Sequence, residues 1–323
     1  MPLLQGPEGV ARAADALAAG ELVALPTETV YGLGARADDD AAVARIFAAK
    51  GRPADHPLIV HVASVAAAES FAATLPAAAR QLMQAFWPGP VTLIVPRRDG
   101  VAAAAAGGQA SIGLRMPSHP LALALLHAAA ARGVPGVAAP SANRFGRVSP
   151  TRAAHVLQEF GPDLLVLDGG DCEVGIESAI VDCSRPAPAR PALLRPGQIG
   201  REQLEQVLGQ ALAEPDAASP RASGTLASHY APAATLVLVS AADWPTRVAT
   251  AAPQPGVAVY ARRTPPPGWW HRPMATEADA AAHELFAVLR ELDDAGAVAI
   301  WVEALPADAA WDGVRDRLRR AAA

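Results

Sequence analysis

Cysteine is scarce. Cys172 and Cys183 are the only two in 323 residues. They lack CxxC spacing and have no histidine cluster beside them, which argues against a thiolate zinc site and leaves two free thiols as the expected state. Aromatic residues make up 5% of the chain, and 32 acidic against 27 basic side chains give a net charge of -5. A protein built to grip a long nucleic acid usually carries a basic surface, so no stable RNA or DNA binding is expected. The longest apolar run, residues 121–131, is too short to cross a bilayer and contains His127. The opening MPLLQGPEGV shows no basic stretch followed by an apolar one, so the expectation is a cytoplasmic protein without membrane contact. Two phosphate-binding signatures are also missing: GxxxxGK followed by Ser or Thr, and GxGxxG. A bound nucleotide would have to be held by other groups.

What is present is a 51% hydrophobic chain long enough for two domains. One stretch, residues 26–61 (PTETVYGLGARADDDAAVARIFAAKGRPADHPLIVH), is denser in polar chemistry than any other. A short apolar strand over 22–25 leads into a loop at 26–34. A helix follows, with Asp38–Asp40 at its start and Lys50 in its last turn, where a cation complements the dipole. Residues 58–62 read as a buried strand with His61 at its exit. Further strands are expected at 91–95, 111–116, 136–139, 164–167, 178–181 and 192–195. Helices are expected at 7–19, 64–72, 76–86, 120–131, 149–160 and 200–212, with a Gly/Ala-rich loop over 99–110. Strands and helices do not alternate strictly, which points to an α/β sheet with both parallel and antiparallel pairs. Residues 213–232 are rich in Pro, Ala and Ser and read as a linker. The pattern then restarts as a small α/β unit: strands at 235–240, 256–260 and 297–302, helices at 276–293 and 307–320, and a Pro/Trp loop at 264–273. The expected division is 1–212, 213–232 and 233–323.

Each chemical signal has a plain alternative. Lys50 and Arg52 flank a glycine at a helix end, where both heads can converge on one polyanion; alone they would read as two solvated cations. Ser141 and Asn143 follow an apolar strand, where open α/β sheets place ligands, yet Ser and Asn also favour simple turns and caps. Ser178 opens another strand after Gly175-Ile176-Glu177, again readable as a turn. His61 alone would be a core histidine. Arg115 is harder to set aside, because a strand arginine among apolar neighbours needs an anionic partner.

Taken in order, PTETVYGLG, KGRP, PLIVH, IGLRMP, SAN and GIES resemble the YrdC-like domain of the threonylcarbamoyl-AMP synthases over about residues 8–200. Ser228-His229-Tyr230-Ala231-Pro232 followed by a small α/β unit resembles the two-domain form of that family. The resemblance implies a twisted mixed sheet with flanking helices plus a smaller, Rossmann-like C-terminal domain. It implies synthesis of threonylcarbamoyl-AMP and pyrophosphate from L-threonine, bicarbonate (or CO2) and ATP, with Mg2+ carried on the ATP phosphates rather than by a dedicated protein site. The product would pass to a separate complex that transfers the threonylcarbamoyl group to tRNA. By resemblance Lys50, Arg52, Ser141 and Asn143 form the catalytic tetrad. Thr29, His61, Arg115, Ala139 and Ser178 would line the threonine site. Arg52, His56, Ser111, Ser141, Ser149 and Arg195 would contact the nucleotide, covered by His229 and Tyr230 from the linker. Glu28 is expected to fix its loop rather than act as a base. An RNA-binding or ribosome-maturation module of the same fold is the alternative. In a third reading the C-terminal domain is only structural support for the linker.

Overall fold

The computed structural model describes residues 3–186 and 188–323. The first domain carries ten strands: β1 (Leu3–Leu4), β2 (Val23–Leu25), β3 (Gly32–Arg36), β4 (Ile59–His61), β5 (Val91–Pro96), β6 (Ser111–Arg115), β7 (Val137–Ala138), β8 (Leu165–Leu167), β9 (Ala179–Asp182) and β10 (Ala192–Arg195). Its helices are α1 (Gly6–Ala18), α2 (Asp40–Lys50), α3 (Val65–Phe71), α4 (Ala77–Phe86), α5 (Pro120–Ala130), α6 (Ala153–Phe160) and α7 (Arg201–Leu208). The strands form one mixed sheet in the order β1-β8-β2-β3-β7-β4-β6-β5-β9-β10. The second domain is a four-stranded parallel sheet of β11 (Thr235–Val239), β12 (Val257–Ala261), β13 (Trp270–Pro273) and β14 (Ala299–Glu303), ordered β11-β14-β12-β13. It carries α8 (Ala278–Asp294) and α9 (Asp312–Ala321). No described helix is long and apolar enough to cross a membrane.

Local chemistry sets the element that matters most for the site. The Asp39 carboxylate accepts from the amides of Ala41 and Ala42 and starts α2. Gly51, at φ 65°, stops it in the left-handed conformation that glycine adopts at no steric cost. Val43, Ile46 and Phe47 face the core.

Several elements differ from the sequence expectation; β1 and a one-turn helix at Pro245–Ala249 were not expected at all, and three others differ instructively. β3 lies where a loop was expected, because Gly32-Leu33-Gly34 looks like a turn. Those glycines are required by close packing: a Cβ at Gly34 would stand 2.9 Å from both Leu25 and Val137 on the flanking strands. β13 falls within the expected Pro/Trp loop and pairs in parallel with β12. The helix expected from Ser149 begins only at Ala153; residues 149–151 instead run beside the site, with Pro150 accepting from the Tyr31 amide at 2.9 Å.

Strand alternation gives the sheet two different faces. Val60, Leu93, Val95, Ile112, Leu114 and Val181 point into the main core. On the other face Ile59, Ile94, Ile180, Ala192 and Leu194 form a small cluster, against which Ala213 and Ala222 of the connecting segment pack. The connecting segment therefore lies over one face of the sheet. The two domains share a continuous core: Val30, Val148, Val174 and Ile176 pack with Tyr230, Leu285, Phe286, Leu289 and Val314.

Candidate functional site

A cavity of about 30 Å3 lies on the sheet face beneath the connecting segment. Thr29, Arg52, His61, Arg115, Ala139, Ser141, Ser178, Arg195, His229 and Tyr230, all expected from the sequence, line it. The register explains part of this convergence: β4 and β6 are parallel neighbours, and His61 pairs directly with Arg115. The loop after β7 is brought in by a bridge between Ser141 and Gly32, and by the Ala142 amide donating to the Tyr31 carbonyl at 2.8 Å. The cavity thus sits where strands end: His61, Arg115 and Arg195 are the last residues of β4, β6 and β10, and Ala139 and Ser141 follow β7.

On one side Arg115 is 3% exposed. Its Nη1 donates to Thr29 Oγ1 at 2.8 Å and its Nε to the Gly89 carbonyl at 3.2 Å. Nη2 lies 2.7 Å from Glu28 Oε1. That contact is charge against charge without hydrogen-bond alignment, and both Glu28 oxygens remain without an aligned donor. Ser178 Oγ is 2.8 Å from Thr92 Oγ1 and accepts from Arg195 Nη2 at 3.2 Å. Arg195 also donates to the carbonyls of Ser178 at 3.0 Å and Ser223 at 2.8 Å.

On the other side Lys50 and Arg52 part company. Arg52 faces the cavity, donates to the Pro57 carbonyl at 3.0 Å, and leaves its buried Nε without a partner. Lys50 does not line the cavity. Its ammonium donates to the carbonyls of Ser141 (2.6 Å) and Asn143, so it fastens the loop that carries both. Burial, then Arg52, pushes its pKa well down. Asn143 Nδ2 donates to the Arg144 and Arg147 carbonyls, while its Oδ1 is buried and unpartnered. The expected convergence of two cationic heads on one point is replaced by one cation at the cavity and one behind its wall.

The remaining expected residues are dispersed around this centre. Ser111 lines a separate space of about 10 Å3 under Arg221 and Ser223. His56 stacks edge-on to Phe145 at 5.6 Å. Ser149 is fully buried and donates to Glu177 Oε1. His229 and Tyr230 close the cavity from the connecting segment, their rings 4.1 Å apart. Gly224, at φ +71°, fits between Tyr230 and Arg195, where a Cβ would come within 2.1 Å of the tyrosine oxygen. Residues that sequence reasoning left without a site role include Thr27, Thr92, Phe145, Glu177 and Ser223. Two of these had a signal: Thr27 lies in PTETVYGLG, and Glu177 in GIES beside Ser178.

His61 and His229 are buried and their pKa values are pushed down to about 3. For His61 burial is the largest cause and Arg115 adds to it. For His229 burial outweighs the Glu177 carboxylate, and Arg52, Lys50 and Arg195 add to it. Both are neutral in the folded state at neutral pH. Below an unfolded value near 6.5 the unfolded chain binds protons that the folded one does not, so stability falls as pH drops from 6.5 towards 3. At pH 5 each histidine should cost about 2 kcal/mol. Urea unfolding at pH 7 and pH 5 checks this. His61→Gln should flatten the dependence; an unchanged slope in that variant would refute the assignment.

A mixed ten-stranded sheet that buries cations, hydroxyls and histidines under a segment tied to a second parallel-sheet domain defines a two-domain α/β protein with an enclosed polar site. Family comparison is specific. Residues 15–197 match the family model described as Telomere recombination, and residues 199–323 match that described as Threonylcarbamoyl-AMP synthase, C-terminal domain. Threonylcarbamoyl-AMP synthases of Pyrococcus abyssi and Bacillus subtilis are each 43% identical, over 233 and 235 residues. These alignments cover 70% and 71% of this chain and 66% of each relative, so the chain spans just under two thirds of their length. The crystal structure of P. abyssi Sua5 complexed with L-threonine superposes with a TM-score of 0.85 at 34% identity, covering 99% of this chain and 96% of that one. The chain belongs to the threonylcarbamoyl-AMP synthase family.

Proposed function

We propose that the chain is an L-threonylcarbamoyladenylate synthase, a nucleotidyltransferase using L-threonine, bicarbonate or CO2, and ATP. The observation that carries this reading is the single cavity in which Arg115, Thr29, His61 and Ser178 meet Arg52, Ser141 and Arg195. The first group suits an amino acid. Arg115 offers a fork for its carboxylate, and the Thr29, Ser178 and neutral His61 side chains offer partners for its hydroxyl. Pairing a hydroxyl selects strongly against analogues lacking one. The second group suits phosphates.

Threonine's amine adds CO2 to give a carbamate and releases a proton to solvent. A carbamate oxygen attacks the α-phosphorus, the bond to the bridging oxygen of the β-phosphate breaks, and pyrophosphate leaves. Charge grows on phosphate oxygens, so placed cations and fixed geometry lower the barrier without a side-chain nucleophile. Arg52 meets that charge in the cavity. Lys50 acts through the loop it fastens, holding Ser141 and Asn143 in place. Asn143 lies behind the cavity wall, and its buried, unpartnered Oδ1 would be the acceptor nearest in sequence to Ser141 for the water shell of an Mg2+ carried on ATP, which would neutralise phosphate charge. Ala139 and the fully buried Thr27–Thr29 turn shape the amino-acid end. Closure by His229 and Tyr230 keeps water from a labile carbamate. A cytoplasmic location and delivery of the product to a tRNA-modifying transfer complex complete the reading.

The test is pyrophosphate release from Mg2+-ATP by the full chain, with threonine and bicarbonate each omitted in turn. Release that depends on both supports the synthase. Release independent of either refutes it, and steeply salt-dependent tRNA binding without turnover would favour the RNA-binding alternative.

A further inference from the structure

Arg317 lies on α9, in the C-terminal domain, and is wholly buried. All its donor nitrogens are committed. Nε donates to Glu177 Oε2 at 2.8 Å, Nη2 to the Glu177 carbonyl at 2.9 Å, and Nη1 to the Pro196 carbonyl at 2.7 Å and Asp316 Oδ2 at 3.1 Å. Its guanidinium carbon stands 5.6 Å from the centre of the Tyr230 ring. Glu177 passes the contact on, because its other carboxylate oxygen accepts from Ser149 Oγ.

These partners belong to three separate segments, and each segment contributes to the cavity: Glu177 with Ser178, Arg195 just before Pro196, and Tyr230. Simple attachment of the second domain does not require this arrangement. That interface already has an apolar core and the Arg290–Glu159 ion pair at 2.7 Å. Burying one more cation is costly unless its partners are well placed, and here those partners stand at the cavity wall. Charge points the same way. A lone Glu177 carboxylate there would repel a polyphosphate, and Arg317 cancels it locally. Burial alone would raise the Glu177 carboxyl; Arg317 and then Arg195 outweigh burial and hold it below its ordinary range.

We propose that Arg317 is a positioning residue for the nucleotide half of the site, acting through Glu177 on Ser149 and through Pro196 on Arg195, so that the C-terminal domain completes the ATP-binding wall. The inference rests on the synthase reading above and goes beyond it by giving the second domain a part in ATP affinity.

The experiment is steady-state kinetics of the full chain with ATP and threonine varied separately, for the wild type, Arg317→Met, Arg317→Lys and the double variant Arg317→Met/Glu177→Gln. Arg317→Met should raise KM for ATP by about tenfold or more, as an uncompensated like charge near the phosphates would, with KM for threonine moving less than about threefold. The double variant, which removes both charges, should recover most of the ATP affinity. Arg317→Lys keeps the charge without the fork and should fall between; together with the double variant it remains readable if Arg317→Met does not fold. The proposal is overturned if KM for ATP stays within about twofold in the variants that fold, or if the whole effect is a lower active fraction with both KM values unchanged. A wild type without threonine-dependent turnover would instead overturn the synthase reading, and this inference with it.

Discussion

Arg115→Met should lose both activity and stability. Arg115 and Glu28 are each 3% exposed and face one another at 2.7 Å. Truncating the arginine leaves a buried carboxylate with no counter-charge. Breaking a buried pair from one side typically costs about 3–5 kcal/mol. The same change removes the fork proposed for the substrate carboxylate, so turnover should fall on the order of a thousandfold. The two effects separate in the double variant Arg115→Met/Glu28→Gln. With the orphaned charge gone, stability should return to within about 1–2 kcal/mol of wild type, while activity stays lost. Urea unfolding and pyrophosphate release on the same preparations measure both. If Arg115→Met unfolds at the wild-type urea concentration, Glu28 is not held by Arg115 in the way the geometry indicates. Activity restored in the double variant would remove Arg115 from the amino-acid site.

Arg52→Ala should show the opposite pairing of effects. Arg52 is 8% exposed, has one carbonyl partner, and leaves Nε buried without any. Its pKa is pushed down to about 10, chiefly by burial, with Arg195 adding to this against Tyr230 and Asp55. An under-partnered buried cation costs folding free energy. Its removal should leave stability unchanged or raise it by about 1 kcal/mol, net of the lost packing against Phe145. Turnover should fall by about two to three orders of magnitude, the usual loss when one charge-stabilising donor is removed. A variant both less stable and nearly fully active would show that Arg52 serves the fold. The contrast with Arg115 is informative because both residues are buried arginines lining one cavity. What differs is whether the protein itself supplies the counter-charge.

The first domain was largely legible, since its helices and most of its strands follow apolar periodicity, and the short motifs locate the site in order. Two of the missed elements, β3 and β13, share a cause. Gly32 and Gly34 look like turn residues until β2 and β7 close on them, and Trp270–Pro273 lacks the apolar alternation of a strand yet pairs with β12 at one edge. Periodicity reports burial, not close approach. Ten of the residues placed by motif line the cavity, whereas Lys50, His56, Ser111, Asn143 and Ser149 do not; residues joined by distant contacts gave no signal in the sequence. Thr92 reaches Ser178 across 86 positions of sequence, and Glu177 reaches Arg317 across 140. Arg317 stands in a run of arginines at the end of a strongly amphipathic helix, where single residues read as solvated cations. Only the packing of α9 against residues 177 and 196 separates it from its neighbours: the Arg319 side chain is 74% exposed, while that of Arg317 is fully buried. Lys50 is the converse case. Its sequence setting is that of an ammonium at a helix terminus, and only the fold shows it turned into the loop at 141–143.

The roof formed by residues 223–224 with His229 and Tyr230 has a kinetic consequence. A cavity of about 30 Å3 holds roughly one water, whereas pockets that admit molecules of nucleotide size run to about 300–1,000 Å3. On the synthase reading, capture of ATP from solution would therefore wait for the roof to lift. In rapid mixing, the observed rate of capture should rise with ATP concentration and then level off at the frequency of opening. Ties such as Arg221 to Asp55 (2.9 Å) and the Ala231 amide to the Gly146 carbonyl (2.8 Å) set that ceiling. The same ties would set how long pyrophosphate lingers after the bond breaks. Turnover in this chain would then be paced by the traffic of molecules through its roof as much as by the chemistry beneath it.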